Sequence, residues 1–426
     1  MTTTSCTELK LSISASVGVV TICGGGNGAH VAAAYLSSKG LRVQVLTRHP
    51  ERWAQTLQLS TAGSSWEHKG VMTGSLSLVS KKAKHVIPQS DVVLITAPAH
   101  VHPAILEHIA PYLKSGVKLG ALFAQGGFDW AAKKALGVEK LAKIDMNIPW
   151  ICKTIEYGKK CRIIGPKQCL YVASYPVEKK QEAATLMQTL FDMPCKTVAN
   201  FLNLTLTPSN QIIHPARYYA IFRDWDGKKT YTLEELQNRK GLTLYADFDE
   251  FSAEQLAMLD NELQQIKLAL LQRFSALDLS DVLPMGDRVV KHYGKDVLDH
   301  SSLLQIFRTN IGYAGCLTPL EEPSKGRFQP ATNSRLFWED IPYGLCILKN
   351  MAELLGNLPT PRIDFLIRWH QQYMDVEFLK PNGRLNPREL WRTGAPEKYG
   401  IHSLDDLVSA SLPQKASNSH HLRSCI

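Results

Sequence analysis

The stretch from Val17 to Gly40, VGVVTICGGGNGAHVAAAYLSSKG, constrains the fold more than any other part of the chain. A β-rich apolar run stops at three consecutive glycines, and a helical pattern of small residues follows. Glycines allow a tight turn and close backbone approach, so N–H groups at the helix N-terminus can face a pyrophosphate. A second apolar run, Leu41 to Leu46, follows at βαβ spacing. The pattern predicts a dinucleotide site, the alternative being a βα turn of another doubly wound domain. The predicted cofactor-binding residues are Gly24, Gly25, Gly26, Asn27, Gly28 and Ala29.

The end of the second strand bears on the choice of nicotinamide cofactor. Folds specific for NAD usually place an acidic residue about 20 residues beyond the glycines, where it binds the ribose hydroxyls. This sequence has Thr47 and Arg48 there, with Arg52 one helical turn further on. Arg48 either accepts the 2′-phosphate of NADP(H), or covers the adenine or points to solvent. The predicted cofactor is therefore NAD(H) or NADP(H).

Further strand patterns extend the first half of the chain. Ser90 to Ala99 resembles a buried strand that ends at Pro98, which we expect beside the cofactor at the carboxyl edge of the sheet. His100 and His102 follow, but loop histidines next to a proline are more often local caps or surface residues, so we assign them no role. The predicted sheet has six or more strands, including short ones at 161–164 and 169–173, and ends near 194–200.

Size and composition exclude several classes of protein. A chain of 426 residues exceeds one ordinary core, so two domains are expected. Nine cysteines without C-x-x-C pairs predict neither a disulfide framework nor a metal site, and fit a reducing cytosol. The net charge of +9 comes from interspersed basic residues, which argues against nucleic-acid binding. No apolar run reaches the about 20 residues of a membrane helix. We expect a cytoplasmic protein, either a monomer or a homodimer.

Beyond about residue 200, helical periodicity replaces the strand patterns. The fold class is therefore predicted as α/β plus all-α. The predicted long helices are Ser252–Ala276, Leu298–Thr309, Asp340–Leu355 and Arg362–Gln372. The predicted units are a disordered lead-in at 1–16, a dinucleotide-binding domain at 17–200, an all-helical domain at 201–412 and a flexible tail at 413–426.

Two stretches of the helical half combine titratable groups with prolines, which a plain helix would avoid. PSNQIIHPARYY contains Asn210 and His214, and NSRLFWEDIPYG contains Arg335 and Asp340. An imidazole titrates near neutral pH and can move a proton if a carboxylate fixes its other nitrogen. Arg335 could form paired hydrogen bonds with a substrate carboxylate or stabilise the Asp340 carboxylate. The alternatives are a core histidine without a chemical role and an aspartate that only caps the next helix.

Six motifs of the chain resemble those of the opine dehydrogenases of the octopine/nopaline type. The N-x-x-x-H-P and R-x-x-x-x-D-I-P-x-G elements carry the most weight. The resemblance implies an N-terminal Rossmann domain, an all-helical domain of the 6-phosphogluconate-dehydrogenase-like type, and catalysis in the cleft between them. The motifs are GGGNGAH at 24–30, AQGGF at 124–128, NIPWICK at 147–153, N-x-x-x-H-P at 210–215, WDGK at 225–228 and R-x-x-x-x-D-I-P-x-G at 335–344.

The same resemblance implies residue roles and a reaction. His214 is implied as the general acid/base, Asp340 as its carboxylate partner and Arg335 as the arginine that supports this pair. The implied reaction is the NAD(P)H-dependent reductive condensation of an amino acid with a 2-oxo acid, usually pyruvate, through an imine to an N-(carboxyalkyl) amino acid, and the reverse oxidation. No metal is implied. The implied substrate-binding positions are Gln125, Cys152 and Asn210.

The sequence departs from this family at Pro208, where the octopine enzymes have a methionine associated with substrate entry. Because no acidic cluster near the motifs would pair with a guanidinium, we expect a small neutral amino acid such as glycine, alanine or taurine. A hydroxy-acid or ketopantoate-type reductase, and an NAD(P)-binding sensor without catalysis, stay open. A distance of about 3 Å between the His214 imidazole and the Asp340 carboxylate would support the assignment of these two residues to catalysis.

Overall fold

The computed structural model describes residues 17–66, 70–137, 142–146, 149–409 and 411, with the backbone alone at 142–146. The predicted lead-in, the predicted tail and Asn147 of the NIPWICK motif lie outside the described residues. The strands are β1 (Val19–Cys23), β2 (Arg42–Leu46), β3 (Thr56–Ser60), β4 (Val71–Ser75), β5 (Leu78–Ser80), β6 (Val92–Ile95), β7 (Lys118–Ala121), β8 (Ala142–Met146), β9 (Trp150–Glu156), β10 (Lys160–Pro166), β11 (Leu170–Tyr175), β12 (Cys195–Thr197), β13 (Leu320–Ser324) and β14 (Arg327–Pro330).

Helices alternate with the strands up to β12 and dominate after it. The α-helices are α1 (Asn27–Ser38), α2 (Ala83–Val86), α3 (His102–Ile109), α4 (Phe128–Leu136), α5 (Lys180–Phe191), α6 (Phe201–Thr205), α7 (Asn210–Phe222), α8 (Leu233–Asn238), α9 (Glu250–Arg273), α10 (Met285–Tyr293), α11 (Leu303–Arg308), α12 (Arg335–Trp338), α13 (Cys346–Leu354), α14 (Pro361–Gln371) and α15 (Leu404–Ser409). A π-helix, Ile341–Leu345, precedes α13. Among the described residues, no helix combines the length and apolarity needed to cross a membrane.

The predicted βαβ unit is present and forms the middle of the main sheet. This sheet has eight strands in the order β12-β11-β8-β7-β6-β1-β2-β5. β1 pairs in parallel with β2 on one side and with β6 on the other. β11 departs from the parallel pattern and runs antiparallel to β8. Both β1 and β6 are buried along their whole length, as expected for apolar runs covered on both faces. The Rossmann prediction is confirmed.

A second sheet corrects one detail of the strand prediction. The strand predicted at 161–164 forms part of β10, which does not join the main sheet. It pairs with β3 in parallel and with β9 in antiparallel fashion, in a four-stranded sheet of order β4-β3-β10-β9. Its first residues alternate between exposed and buried, the pattern of a sheet with one covered face.

Helix α1 lies between the two sheets. It contacts β1 and β2 of the main sheet and β3, β4, β9 and β10 of the second. All its residues from Ala29 to Ser37 are buried. This two-sided burial explains why the segment is rich in alanine, since small side chains allow strands to approach from both faces.

The second half is helical, with one exception. β13 and β14 form an antiparallel hairpin, so the prediction of a purely helical domain is wrong at this point. The helix predicted from Leu298 begins only at Leu303, because the Ser302 side chain caps it by accepting a hydrogen bond from Gln305 N at 3.2 Å. The helix predicted at 340–355 divides into the π-helix and α13. The domain boundary near residue 200 stays a prediction.

Candidate active site

The glycine turn after β1 offers the space that a cofactor pyrophosphate needs. Gly24 has a φ of +151°, and a Cβ there would lie 2.5 Å from Thr96 Oγ1, so a side chain is excluded. At Gly26 an added Cβ would meet no atom within 4 Å, and Gly26 and Asn27 are exposed. The N-terminus of α1 therefore faces open space with its backbone N–H groups available. Ala29 is fully buried, as close packing of the helix on the sheet requires.

His30 fixes this turn, a role that the sequence motif alone did not indicate. Its Nε2 accepts a hydrogen bond from Gly158 N at 2.8 Å, so Nδ1 carries the proton and donates to Gly26 O at 2.8 Å. Its ring stacks on that of Trp53, with the ring centroids 4.2 Å apart. Burial lowers the pKa of His30, which keeps the imidazole neutral. Asn27 Oδ1 accepts a hydrogen bond from Thr154 N at 2.9 Å, so the predicted cofactor residue Asn27 also ties the turn to β9.

Two arginines mark the end of β2. Arg48 is exposed, directly after the buried Thr47. The Arg52 guanidinium lies 4.1 Å from the centre of the Tyr157 ring, a cation–π contact. The structure thus leaves Arg48 accessible to a ligand at the strand end where an adenosine ribose would lie. Pro98 is half-buried just beyond the end of β6.

His214 and Asp340 meet in the helical half, as predicted. His214 Nδ1 lies 2.7 Å from Asp340 Oδ2, although 126 positions separate the two residues in the chain. His214 is 4% exposed and Asp340 is 0% exposed. The capping alternative does not hold, because the Asp340 side chain makes no cap hydrogen bond to the following helix.

The other nitrogen of the imidazole is hydrogen bonded to a tyrosine. His214 Nε2 lies 2.7 Å from the Tyr245 hydroxyl. An ionised carboxylate only accepts hydrogen bonds, so Nδ1–H donates to Asp340 and the Tyr245 O–H donates to Nε2. For the neutral imidazole, these two partners fix one tautomer. Asp340 Oδ1 has no hydrogen-bond partner among the described residues.

Arg335 stands at the start of α12, and its carbonyl oxygen accepts a hydrogen bond from Asp340 N at 3.1 Å, but its side chain pairs with Glu339. Its Nε lies 3.5 Å from Glu339 Oε2, and its side chain is 48% exposed. Burial alone would lower the pKa of Arg335, but the carboxylates of Glu339 and Asp340 outweigh this effect and raise it. Glu339 Oε1 accepts a hydrogen bond from Ala99 N at 2.9 Å and so joins the helical half to the loop after β6. The guanidinium is thus held beside the pair with exposed surface for an anion.

The implied substrate-binding residues Gln125, Cys152 and Asn210 have three different environments. The Gln125 amide donates to Thr207 O and holds the loop that enters α7. Cys152, on β9, is half-buried, and burial raises the pKa of its thiol to about 12, so it is uncharged at neutral pH. Asn210 is half-buried at the first position of α7. Their roles toward substrate stay predictions.

α7 approaches the π-helix so closely that Gly344 is required. A Cβ at Gly344 would lie 2.3 Å from Gln211 Cβ. This contact accounts for the glycine of the R-x-x-x-x-D-I-P-x-G motif, since a larger residue would separate the helices that carry His214 and Asp340. π-Helical turns of this kind are frequent at functional sites.

Tyr245 and Arg217 are site residues that the sequence did not reveal. Arg217 lies one turn after His214 on α7 and is fully buried. It donates hydrogen bonds to the carbonyl oxygens of Leu244 (3.0 Å) and Asp247 (3.0 Å), and so holds the loop that carries Tyr245. A single arginine in a helix and a single tyrosine in a loop form no sequence pattern that would indicate a site. Their relation to His214 is seen only in the folded structure.

Comparison with known proteins gives the family. The model of the α-helical domain of NAD/NADP octopine/nopaline dehydrogenases matches residues 197–374. The chain is 30% identical over 409 residues to an opine dehydrogenase of Haliotis discus hannai, covering 92% of this chain and 98% of that protein. It is 29% identical over 408 residues to a tauropine dehydrogenase of Arabella iricolor, covering 92% and 100%. A structure of octopine dehydrogenase with NADH and L-arginine is 26% identical, with a TM-score of 0.76 and coverage of 95% and 100%.

Fold and glycine turn together define a Rossmann-type, NAD(P)-dependent oxidoreductase. The chain belongs to the octopine/nopaline dehydrogenase family. Its activity is accordingly that of an opine dehydrogenase, acting on CH–NH bonds with a nicotinamide cofactor. The described residues contain no group of three or more His, Cys, Asp or Glu side chains that would hold a metal ion.

Proposed function

We propose that this enzyme joins a small neutral amino acid to pyruvate in the cytosol, with His214 as the general acid/base. The observation that carries the proposal is the 2.7 Å contact between His214 Nδ1 and Asp340 Oδ2, which leaves Nε2 as the basic nitrogen. Asp340 stabilises the imidazolium that forms when Nε2 accepts a proton. The cytosolic location is supported by the free thiols of the seven cysteines in the described residues.

One histidine serves the proton steps of the reaction. The ammonium group of the amino acid loses a proton to His214, and the neutral amine attacks the carbonyl carbon of the 2-oxo acid. A proton moves from nitrogen to oxygen in the adduct, and His214 then returns its own proton to the departing hydroxyl group. Water leaves, and a protonated imine remains. Bound NAD(P)H supplies the hydride that reduces the imine carbon.

The charges at the site support a neutral amine donor. Arg335 has exposed surface for a substrate carboxylate, which guanidinium groups bind through paired hydrogen bonds. Of the two Glu339 carboxylate oxygens, Oε1 accepts from Ala99 N and Oε2 lies beside Arg335. This carboxylate is therefore not available to pair with a cationic side chain such as that of arginine.

A spectrophotometric screen tests the proposed reaction. NADH and NADPH oxidation is followed with pyruvate and each of a set of amino acids, including glycine, alanine, taurine and arginine. We expect oxidation to require the added amino acid and to be fastest with a small neutral one. Oxidation by pyruvate alone at the same rate would contradict the opine reaction, and a preference for arginine would contradict the substrate assignment.

Arg48 provides a test of cofactor choice. If its guanidinium binds the 2′-phosphate, Arg48→Asp should raise the KM for NADPH about tenfold or more and leave the KM for NADH within about twofold, because only NADPH loses an ion pair. Arg42→Asp is the matched control, since Arg42 is also exposed but lies at the opposite end of β2. Equal effects of the two substitutions on NADPH would rule out a specific contact at Arg48.

A further inference from the structure

The environment of His214 leaves one route for its proton. On one side of the ring, Nδ1 is bonded to Asp340, which is completely buried and contacts no solvent. On the other side, Nε2 is covered by the Tyr245 hydroxyl. A substrate proton that reaches Nε2 must therefore either displace this hydroxyl or pass through it.

Displacement of Tyr245 is opposed by its packing. Its ring stacks on Tyr313 with the centroids 4.4 Å apart and the planes 29° apart. Tyr313 in turn lies in the 3₁₀ turn at Ile311–Tyr313, which contacts β10 of the first half. Behind Tyr245, the carbonyl oxygens of Leu244 and Asp247 are bonded to the buried Arg217. The hydroxyl is thus fixed in place from both sides.

We propose that Tyr245 is a further catalytic residue, whose hydroxyl relays the proton between His214 and the substrate. The proposal rests on the assignment of His214 as the acid/base. A hydroxyl suits this task because it donates one hydrogen bond and accepts others at the same time. While its O–H donates to Nε2, its oxygen lone pairs can accept a hydrogen bond from the substrate ammonium group.

The relay leaves the tyrosine unchanged. One N–H bond of the substrate ammonium breaks as a new O–H bond forms on Tyr245, and the original O–H bond breaks as an N–H bond forms on Nε2. The amine becomes neutral, the imidazole becomes imidazolium beside Asp340, and Tyr245 is neutral before and after. The same transfers in reverse return the proton to the departing hydroxyl group.

The charged and titratable groups around Tyr245 agree with a neutral hydroxyl. Burial raises the pKa of Tyr245 well above 10, and Cys316, Tyr313 and Asp340 act in the same direction while Arg335 opposes them. A tyrosinate would therefore be costly, so the two protons must move together rather than in sequence.

Tyr245→Phe tests the relay because it removes the oxygen and keeps the ring on Tyr313. We expect the single-turnover rate of NADH oxidation, with pyruvate and the preferred amino acid saturating, to fall about 10- to 100-fold.

Tyr231→Phe is the control. Tyr231 is a buried tyrosine of the same half, and its hydroxyl lies near the Arg239 guanidinium and not at the imidazole of His214. Its replacement should leave the single-turnover rate unchanged. A single-turnover rate of Tyr245→Phe within twofold of the unaltered enzyme overturns the relay. If His214→Ala is also fully active, the acid/base assignment itself fails; if His214→Ala is inactive, only the relay fails.

Discussion

Replacing His214 with alanine is expected to lower kcat by about 10²- to 10⁴-fold. The substitution removes the only imidazole that contacts Asp340 in the described residues, so neither amine deprotonation nor loss of water is assisted. NADH binding should stay largely intact, because the glycine turn is built by β1, α1 and His30, none of which belongs to α7. Steady-state rates and a fluorescence titration with NADH measure the two effects separately.

His370→Ala is a suitable control for the loss of a buried histidine. His370 is as deeply buried, on α14, and its Nδ1 is hydrogen bonded to Leu366 O within its own helix. It should lower stability without a comparable loss of kcat. A His214→Ala enzyme with an unchanged rate would refute the proposed mechanism, whatever the control shows.

Replacing Arg217 with methionine is expected to destabilise the fold by about 3–5 kcal/mol. Burial lowers the pKa of Arg217 to about 10, so it is still charged at neutral pH. Its guanidinium donates hydrogen bonds to Ser252 Oγ at 2.8 Å and to main-chain carbonyl oxygens, and without it these buried acceptors lose their partners. The free energy of unfolding from urea titration measures the effect.

Arg223→Met separates this effect from a general cost of losing arginine. Arg223 follows α7 and is exposed, donating to Ala220 O at 2.7 Å. Its replacement should cost less than about 1 kcal/mol, as is usual for exposed groups. Similar losses for the two variants would mean that the buried hydrogen bonds of Arg217 contribute little. Because Arg217 also holds the loop of Tyr245, kcat should fall in Arg217→Met even under conditions where the protein is folded.

Local patterns account for what the sequence predicted correctly. The glycine turn and the flanking strands depend on residues near one another in the chain, and their periodicity gave the βαβ unit and the long helix α9. The partner of β10 was not predictable in this way, because Lys160 pairs with Gln58, about a hundred residues earlier. A strand pattern shows which face is buried but does not identify the neighbouring strand.

The candidate site was predictable only in part, because some of its contacts also join residues that are far apart in the chain. His214 and Asp340 were paired because their chemistry is complementary and because both lie in motifs of a known family. Tyr245 offered no such clue, because it stands in a loop whose main-chain carbonyl groups are hydrogen bonded to Arg217 on another part of the chain. For Gln125, the structure shows an amide engaged by the loop before α7, a contact that composition and spacing do not encode.

The adjacent carboxylates of Glu339 and Asp340 point to opposite halves of the molecule. Glu339 accepts a hydrogen bond from Ala99 N, while Asp340 accepts one from His214. One peptide unit therefore ties the loop after β6 to the imidazole. The first half therefore cannot simply be exchanged between relatives. A chimera of two relatives joined near residue 200 keeps the contact between Ala99 and Glu339 only if the loop at 98–99 and the segment at 335–345 come from the same parent.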